Sequence, residues 1–319
     1  MTNDSEKLLT LLKRSAAFKS IREERRICEL LQHAGWRAYH SYYYLDLITN
    51  KPREIDVLAS RFWSRKSRSI EQFVRVILLL EAKSIKDYHL IFSSSEEDSF
   101  RGPRLGAHRI WPGDLERYAD LLTAKLKSVG TPNDTIIKLL DEFEKISYPG
   151  NGHFAIEKLI PDLYPAPAVC TAFRETNIAS EKEIDNSVLW RASLALKSAF
   201  EADRSAFVEG RLSYVAKLVK WALEDQDWNI DEALDDYTTA SANWLDIVHP
   251  IVAVNCALWL LKDDGLESIP WCRFVQVGTT DSNIWWFDIV QTSTLNSYFS
   301  ELTKHYDSVY RRARARLIS

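Results

Sequence analysis

Three charged residues stand where buried strands are expected to begin and end. The apolar run VILLL (76–80) is followed directly by Glu81, Ala82 and Lys83, and the earlier run REIDVLAS contains Asp56. Because successive side chains of a β-strand point to opposite faces, Glu81 and Lys83 share one face and Ala82 lies on the other. The spacing therefore predicts an acid and an amine side by side at the end of a buried strand.

These residue types suit the hydrolysis of phosphodiesters. If the two runs form a β-hairpin, Asp56 lies beside Glu81, and two half-buried carboxylates repel each other. A divalent cation that prefers oxygen ligands, Mg²⁺ or Mn²⁺, relieves this repulsion. The Lys83 ammonium would then orient an attacking water or stabilise the charge of the transition state. The alternative is an ion pair at the end of a strand, which contributes about 0–1 kcal/mol to stability.

The elements that position these residues are predicted from hydrophobic periodicity. Apolar stripes predict a helix over residues 5–34, which ends before Gly35. Alternating or continuous apolar runs predict three strands and then a short apolar segment, at 36–47, 54–62, 73–83 and 88–92. A basic loop over 61–72 would join the second and third strands. The third strand is apolar almost throughout, which is typical of a strand buried on both faces.

The remainder of the chain mixes helical and strand patterns. Helical periods are predicted over 114–146, split by Gly-Thr-Pro, and over 183–203, 208–223 and 294–316. Strands are predicted over 247–261, 271–277 and 285–291, and an irregular connection over 148–168. The order of elements predicts an α/β (α+β) core with a helical insertion. We expect core elements in residues 1–113, a helical insertion of unknown role in 114–182, and the rest of the core in 183–319.

Composition narrows the class of protein without deciding its function. The chain has 319 residues, 46% of them hydrophobic, and a net charge of -4. Its basic residues concentrate in the first third, which permits a local nucleic-acid surface but fits ordinary solvated faces equally well. The four cysteines form no C-x-x-C pair and are interpreted as reduced core thiols of a cytoplasmic protein. No run of eighteen apolar residues is present, so we expect no membrane partner.

The motif and its context resemble the PD-(D/E)XK nucleases. Asp56, followed by Glu81-Ala82-Lys83 after a hydrophobic strand, is similar to the motif of that superfamily. An acid in the preceding helix, Glu24, and the order of helix, strand, strand and E-x-K are similar too. Ile55 stands where the motif often has Pro, and Pro is the position of the motif that varies most easily. The resemblance covers residues about 20–92 well and residues 183–300 loosely.

The resemblance implies a restriction-endonuclease-like fold, with a central mixed sheet flanked by helices, and a role for each residue of the motif. Asp56, Glu81 and the backbone carbonyl of Ala82 would hold Mg²⁺ or Mn²⁺, Lys83 would act on the attacking water, and Glu24 would support the metal or the water. Glu54 either contacts and supports the metal ligands or is an acid exposed on the surface.

Three basic residues of the predicted loop, Arg65, Lys66 and Arg68, either contact phosphates or serve only solubility. The function expected from the resemblance is a metal-dependent DNA endonuclease in a prokaryotic defence or DNA-processing system. The alternatives are a catalytically silent nucleic-acid-binding or scaffold subunit and an RNase on the same fold. A homodimer or a partner protein would use the 114–182 insertion.

Overall fold

The computed structural model describes residues 7, 15–67, 70–85, 88–94, 108–110, 119–147, 164–177, 187–224, 244–263, 265–277 and 284–316. The helices in these ranges are α1 (Ala16–His33), α2 (Ala119–Ser128), α3 (Asn133–Ser147), α4 (Val188–Glu224) and α5 (Leu295–Arg316), the last preceded by a 3₁₀ turn at Thr292–Thr294. The strands are β1 (Arg37–Asp46), β2 (Lys51–Ser67), β3 (Ile70–Lys83), β4 (Tyr88–Ser94), β5 (His108–Ile110), β6 (Val169–Asn177), β7 (Trp244–Val254), β8 (Ala257–Lys262), β9 (Gly265–Ile269), β10 (Trp271–Val277) and β11 (Ile284–Gln291). None of these helices is long and apolar enough to cross a membrane.

All eleven of these strands belong to one mixed sheet. Its order is β1-β2-β3-β7-β11-β10-β6-β4-β8-β9, and β5 pairs with the first half of β7. The central strands β3, β7 and β11 are parallel, whereas β1, β2 and β3 form an antiparallel meander. The continuous apolar run of β3 fits this central position, because both of its faces are covered. The mixed α/β class predicted from the sequence is confirmed.

Helices cover both faces of the sheet and define two apolar layers. One layer lies under α4 and contains alternate residues of the central strands, among them Ile77, Leu79, Val248, Val252, Leu189, Leu196 and Phe200. The other lies under α1 and α5 and contains the intervening residues, among them Val76, Leu78, Leu80, Ile27, Leu31, Phe299 and Leu302. The strand period of two divides the buried side chains between these layers.

The end of α1 is fixed by a glycine and an arginine. Gly35 has a φ of 84°, a conformation that glycine adopts readily, and a Cβ at this position would lie 2.8 Å from Arg61 Nη1. That guanidinium donates to the Ala34 carbonyl at 3.0 Å and pairs with Asp307 of α5 at 3.1 Å. One side chain of β2 thus joins the end of α1 to the middle of α5.

The structure corrects three predictions about individual elements. The strand predicted over 247–261 is two strands, β7 and β8, because the chain turns at Asn255. The two helices predicted over 183–203 and 208–223 are the single 37-residue helix α4, since residues 204–207 contain neither Pro nor Gly. The β6 strand belongs to the sheet although the sequence analysis placed its residues in the insertion. The first part of the predicted 5–34 helix, apart from Lys7, lies outside the described residues.

A charged network is buried between the sheet and α5. Arg273 of β10 and Asp288 of β11 are directly cross-strand, and the Arg273 guanidinium donates to both Asp288 oxygens at 2.7 and 3.0 Å. His249 Nε2 and the Tyr298 hydroxyl contact the same carboxylate at 2.8 and 2.7 Å. His249 Nδ1 contacts the Tyr306 hydroxyl at 2.9 Å.

The pKa values follow from this burial and pairing. Burial alone would raise the pKa of Asp288, but Arg273 and His249 outweigh it and hold the pKa well below its usual value. Burial lowers the pKa of His249, which keeps the imidazole neutral at pH 7. The network is therefore one ion pair with neutral hydrogen-bonding neighbours, and each of its charges depends on the other.

Candidate active site

The predicted hairpin is present and is longer than expected. Strands β2 and β3 are antiparallel, and their paired residues run from Val57–Leu80 to Ser67–Ile70. Most of the predicted basic loop is therefore strand, because the alternating residues of 61–67 continue the ladder. Arg65 and Lys66 are residues of β2 near the tip of the hairpin, and Arg68 lies outside the described residues. A phosphate contact by these three residues stays a prediction.

The hairpin ladder stops at the level of Asp56. No backbone pair beyond Val57–Leu80 joins the described parts of the two strands, and the Asp56 side chain replaces it. Its Oδ2 accepts the backbone N–H of Ala82 at 2.7 Å. The Asp56 carboxylate of β2 thus contacts the backbone of β3 just beyond the point where the β2–β3 ladder opens.

Glu81, Lys83 and Asp56 meet at this opening, as the sequence analysis expected. Lys83 Nζ contacts Glu81 Oε2 and lies 3.5 Å from Asp56 Oδ2. The side chain of Glu81 is only 4% exposed, whereas those of Lys83 and Asp56 are 26% and 20% exposed. We call these three side chains, one buried and two partly exposed, the cleft.

The electrostatics of the cleft disfavour its buried negative charge. Burial, together with the charge of Asp56, raises the pKa of Glu81 to about 7, and Lys83 offsets only part of this effect. Burial would lower the pKa of Lys83, but Glu81 and Asp56 outweigh it and raise the pKa. The lysine therefore stays charged at neutral pH, while burial and Asp56 disfavour the charged form of Glu81.

Helix α1 brings a third acid to the same region. Glu24 is 7% exposed and accepts the Ser20 hydroxyl at 2.9 Å. Burial raises its pKa, and the charges of Asp56 and Glu54 raise it further. Glu24 is thus within electrostatic reach of the cleft, and Glu54 is an exposed residue of β2. The predicted roles of Glu24 at the metal and of Glu54 behind the ligands stay predictions.

The donor set fits a hard divalent cation. Two carboxylates from separate strands converge on one point, where a cationic Lys83 already lies between them, and oxygen donors of this kind suit Mg²⁺ or Mn²⁺. Among the described residues, no three His, Cys, Asp or Glu side chains are arranged to hold a metal ion. The set expected from the resemblance is Asp56, Glu81 and the Ala82 backbone carbonyl, with Glu24 supporting the metal or the water.

One contributor to the site was missed by the sequence analysis. Asn255, at the end of β7, accepts the N–H of Ile85 at 2.7 Å and donates to the Ser84 hydroxyl at 3.1 Å. It therefore fixes the residues that follow Lys83. The signal in the sequence was an Asn directly after the apolar run IVAV, a position where a strand end requires a polar partner.

The raised pKa of Glu81 predicts how stability changes with pH when a chelator is present. A carboxyl whose pKa is about 7 in the folded protein, above its ordinary value of 4.5, stabilises the fold fully below pH 4.5. This contribution, on the order of 3 kcal/mol, is lost as the pH rises to about 7. Urea denaturation of Glu81→Gln should therefore show the variant gaining stability relative to wild type between pH 5 and pH 8.

The exposed residue Glu201 of α4 provides the matched control for this experiment. Glu201→Gln removes the same charge from the surface and should follow the wild type at both pH values. If the difference between wild type and Glu81→Gln were the same at pH 5 and pH 8, the buried and repelled state of Glu81 would be wrong.

Comparison of the chain with models of protein families, with curated proteins and with solved structures found no match. The resemblance to the PD-(D/E)XK nucleases therefore rests on this chain's own residues and elements.

Proposed function

We propose that the protein is a metal-dependent nuclease of the PD-(D/E)XK superfamily, with a restriction-endonuclease-like core, and that it hydrolyses DNA phosphodiesters. One observation carries the proposal. Asp56, Glu81 and Lys83 converge where the β2–β3 ladder opens, although the first two are 25 positions apart in the sequence.

Each residue of the cleft has a role in this reaction. Bound Mg²⁺ or Mn²⁺ would polarise the phosphodiester and make water more acidic. Asp56, Glu81 and the Ala82 carbonyl would supply the oxygen ligands, and Asp56 also fixes the Ala82 backbone through its hydrogen bond. Lys83, charged and partly exposed, orients the attacking water and stabilises negative charge on the phosphate.

The electrostatics favour this function over a structural ion pair. A pair that existed to stabilise the fold would satisfy the charge of its acid. Here the pKa of Glu81 stays near 7 even though Lys83 contacts it, because burial and Asp56 work against the charged form. Perturbed pKa values of this kind are concentrated at catalytic centres.

The proposal includes a cellular location, a biological role and an assembly for the protein. The four cysteines are free and buried, which supports a cytoplasmic location. A role in prokaryotic defence or DNA processing follows from the resemblance only. So does assembly with a second copy or a partner protein through residues 114–182.

The decisive experiment measures cleavage and metal binding together. Wild type, Asp56→Asn and the exposed control Asp263→Asn are incubated with plasmid, linear DNA, single-stranded DNA and RNA, in Mg²⁺, Mn²⁺ or EDTA. Wild type and Asp263→Asn should cleave only with metal, and Asp56→Asn should not cleave. Calorimetry should show Mn²⁺ binding that Asp56→Asn weakens, since one of two carboxylate ligands is lost.

The outcomes separate the proposed function from its alternatives. Cleavage of RNA alone would favour the RNase. Cleavage that persists in EDTA, or in Asp56→Asn, would contradict a metal site at this cleft. A wild type that neither cleaves nor binds Mn²⁺ would favour the silent nucleic-acid-binding subunit.

A further inference from the structure

In strands β1 and β2, side chains two residues apart pack in different apolar layers, on opposite faces of the sheet. This change of face occurs at the active site. In β2, Val57 and Ala59 pack in the layer under α1 and α5, but Ile55, two residues earlier, packs in the layer under α4. Residues two apart in a regular strand share a face. The alternation of β2 is therefore interrupted at Asp56.

Strand β1 changes face at the matching position. Ala38 packs under α1, and His40 acts electrostatically on Glu24 of that helix. Tyr44 packs in the opposite layer, where its hydroxyl donates to the Ala195 carbonyl of α4 at 3.3 Å. The change therefore falls between His40 and Tyr44.

Ser41 lies at the centre of this change and has a left-handed backbone. Its φ is 58°, a conformation uncommon for residues other than glycine. The β1–β2 register continues unchanged from His40–Val57 to Tyr42–Ile55, so Ser41 stands directly opposite Asp56. No bridge joins the two residues themselves.

We propose that Ser41 is a positioning residue of the active site, whose left-handed backbone turns β1 and β2 together so that Asp56 reaches the Ala82 amide and the Glu81–Lys83 pair. β1 and β2 pair on both sides of Ser41 and Asp56, while β2 separates from β3 at the same level. The separation opens the cleft, and the turn aims the Asp56 carboxylate into it. The catalytic consequence rests on the proposed function, but the positioning of Asp56 does not.

The inference predicts opposite effects for two substitutions at one position. Glycine adopts positive φ without a steric penalty, so Ser41→Gly keeps the turn. A β-branched residue strongly disfavours it, so Ser41→Val favours an extended strand in which Asp56 is misaligned. We expect Ser41→Val to weaken Mn²⁺ binding roughly tenfold, while Ser41→Gly stays within about twofold of wild type. In the cleavage assay, Ser41→Val should lower kcat rather than raise KM for DNA.

A matched control lies in the turn between the same two strands. Asn50 also has a positive φ, 50°, but it stands at the far end of β1, beyond Asp46. Asn50→Val imposes the same kind of backbone strain away from the cleft. It should lower the urea midpoint of unfolding without changing Mn²⁺ affinity.

Amide hydrogen exchange tests the positioning directly, without catalysis. The Ala82 N–H donates to Asp56 Oδ2, so the metal-free peptide containing Ala82 should exchange at least about fivefold faster in Ser41→Val than in wild type. Ser41→Gly and Asn50→Val should match the wild type there. Equal exchange and equal Mn²⁺ affinity in Ser41→Val and wild type would overturn the inference, as would the same change in Asn50→Val. If wild type bound no Mn²⁺ and cleaved nothing, the proposed function would fail, and the exchange result would still decide the role of Ser41.

Discussion

Asp288→Asn is expected to lower the free energy of unfolding by about 3–5 kcal/mol, the largest stability effect among the substitutions considered. The substitution keeps the size of the side chain but removes the charge that pairs with Arg273, which is only 3% exposed. A buried guanidinium without an anion is costly because water cannot solvate it. The hydrogen bonds of His249 and Tyr298 to the carboxylate weaken in the same step. Urea denaturation at pH 7 measures the loss through the midpoint and the slope.

Two further variants test whether the loss of stability comes from leaving a buried charge unpaired or from removing any acid of an ion pair. Asp307 pairs with Arg61, but both side chains are partly exposed, so Asp307→Asn should cost roughly 1 kcal/mol. The double variant Arg273→Met, Asp288→Leu removes both charges and should be more stable than Asp288→Asn alone. A double variant less stable than the single variant would show that the pair itself, rather than the unpaired arginine, determines the cost.

Lys83→Met is expected to reduce DNA cleavage by at least ~10²-fold while leaving Mn²⁺ binding intact or tighter. Removal of a group that orients water and stabilises transition-state charge costs about this much in other hydrolases. The metal ligands remain, and the ammonium that contacts both carboxylates in the metal-free protein no longer competes with the cation. Single-turnover cleavage and calorimetry measure the two effects separately.

An exposed lysine serves as the control for this substitution. Lys304 of α5 pairs with Glu301 on the surface, and Lys304→Met should retain both activities. If Lys83→Met lost Mn²⁺ binding as well as cleavage, the lysine would be supporting the structure of the cleft and not the reaction. If it kept wild-type cleavage, the proposed role of Lys83 would be wrong.

The hairpin and its three charged residues could be predicted from the sequence because they depend on local patterns. The apolar run of β3 and the alternation of β2 fix which residues face each other, and the chain between them is short enough to make an antiparallel pair the natural arrangement. The helix ahead of Gly35 was predicted for similar reasons, since its apolar stripe and its stop are both local.

The rest of the site depends on contacts that no local pattern contains. Asn255 reaches Ile85 only because β7 lies parallel to β3, a pairing between residues about 170 positions apart. The turn at Ser41 interrupts a strand whose sequence, AYHSYYYL, has no glycine or proline to mark it. The buried Arg273–Asp288 pair has a signal in the sequence, because each of two apolar runs contains a single charge at its centre. Only the strand pairing shows that the two charges meet.

This cross-strand pair also determines how β10 and β11 align. If β11 shifted by one residue along β10, Asp288 would move to the opposite face of the sheet, under α4, and Arg273 would remain under α5. Both charges would then be buried alone, whereas the apolar residues on either side, such as Phe274 and Phe287, would tolerate either alignment. We infer that the ion pair selects one alignment from several that hydrophobic packing alone would accept. The neighbouring strands β6 and β7, which pair with β10 and β11, are thereby aligned as well.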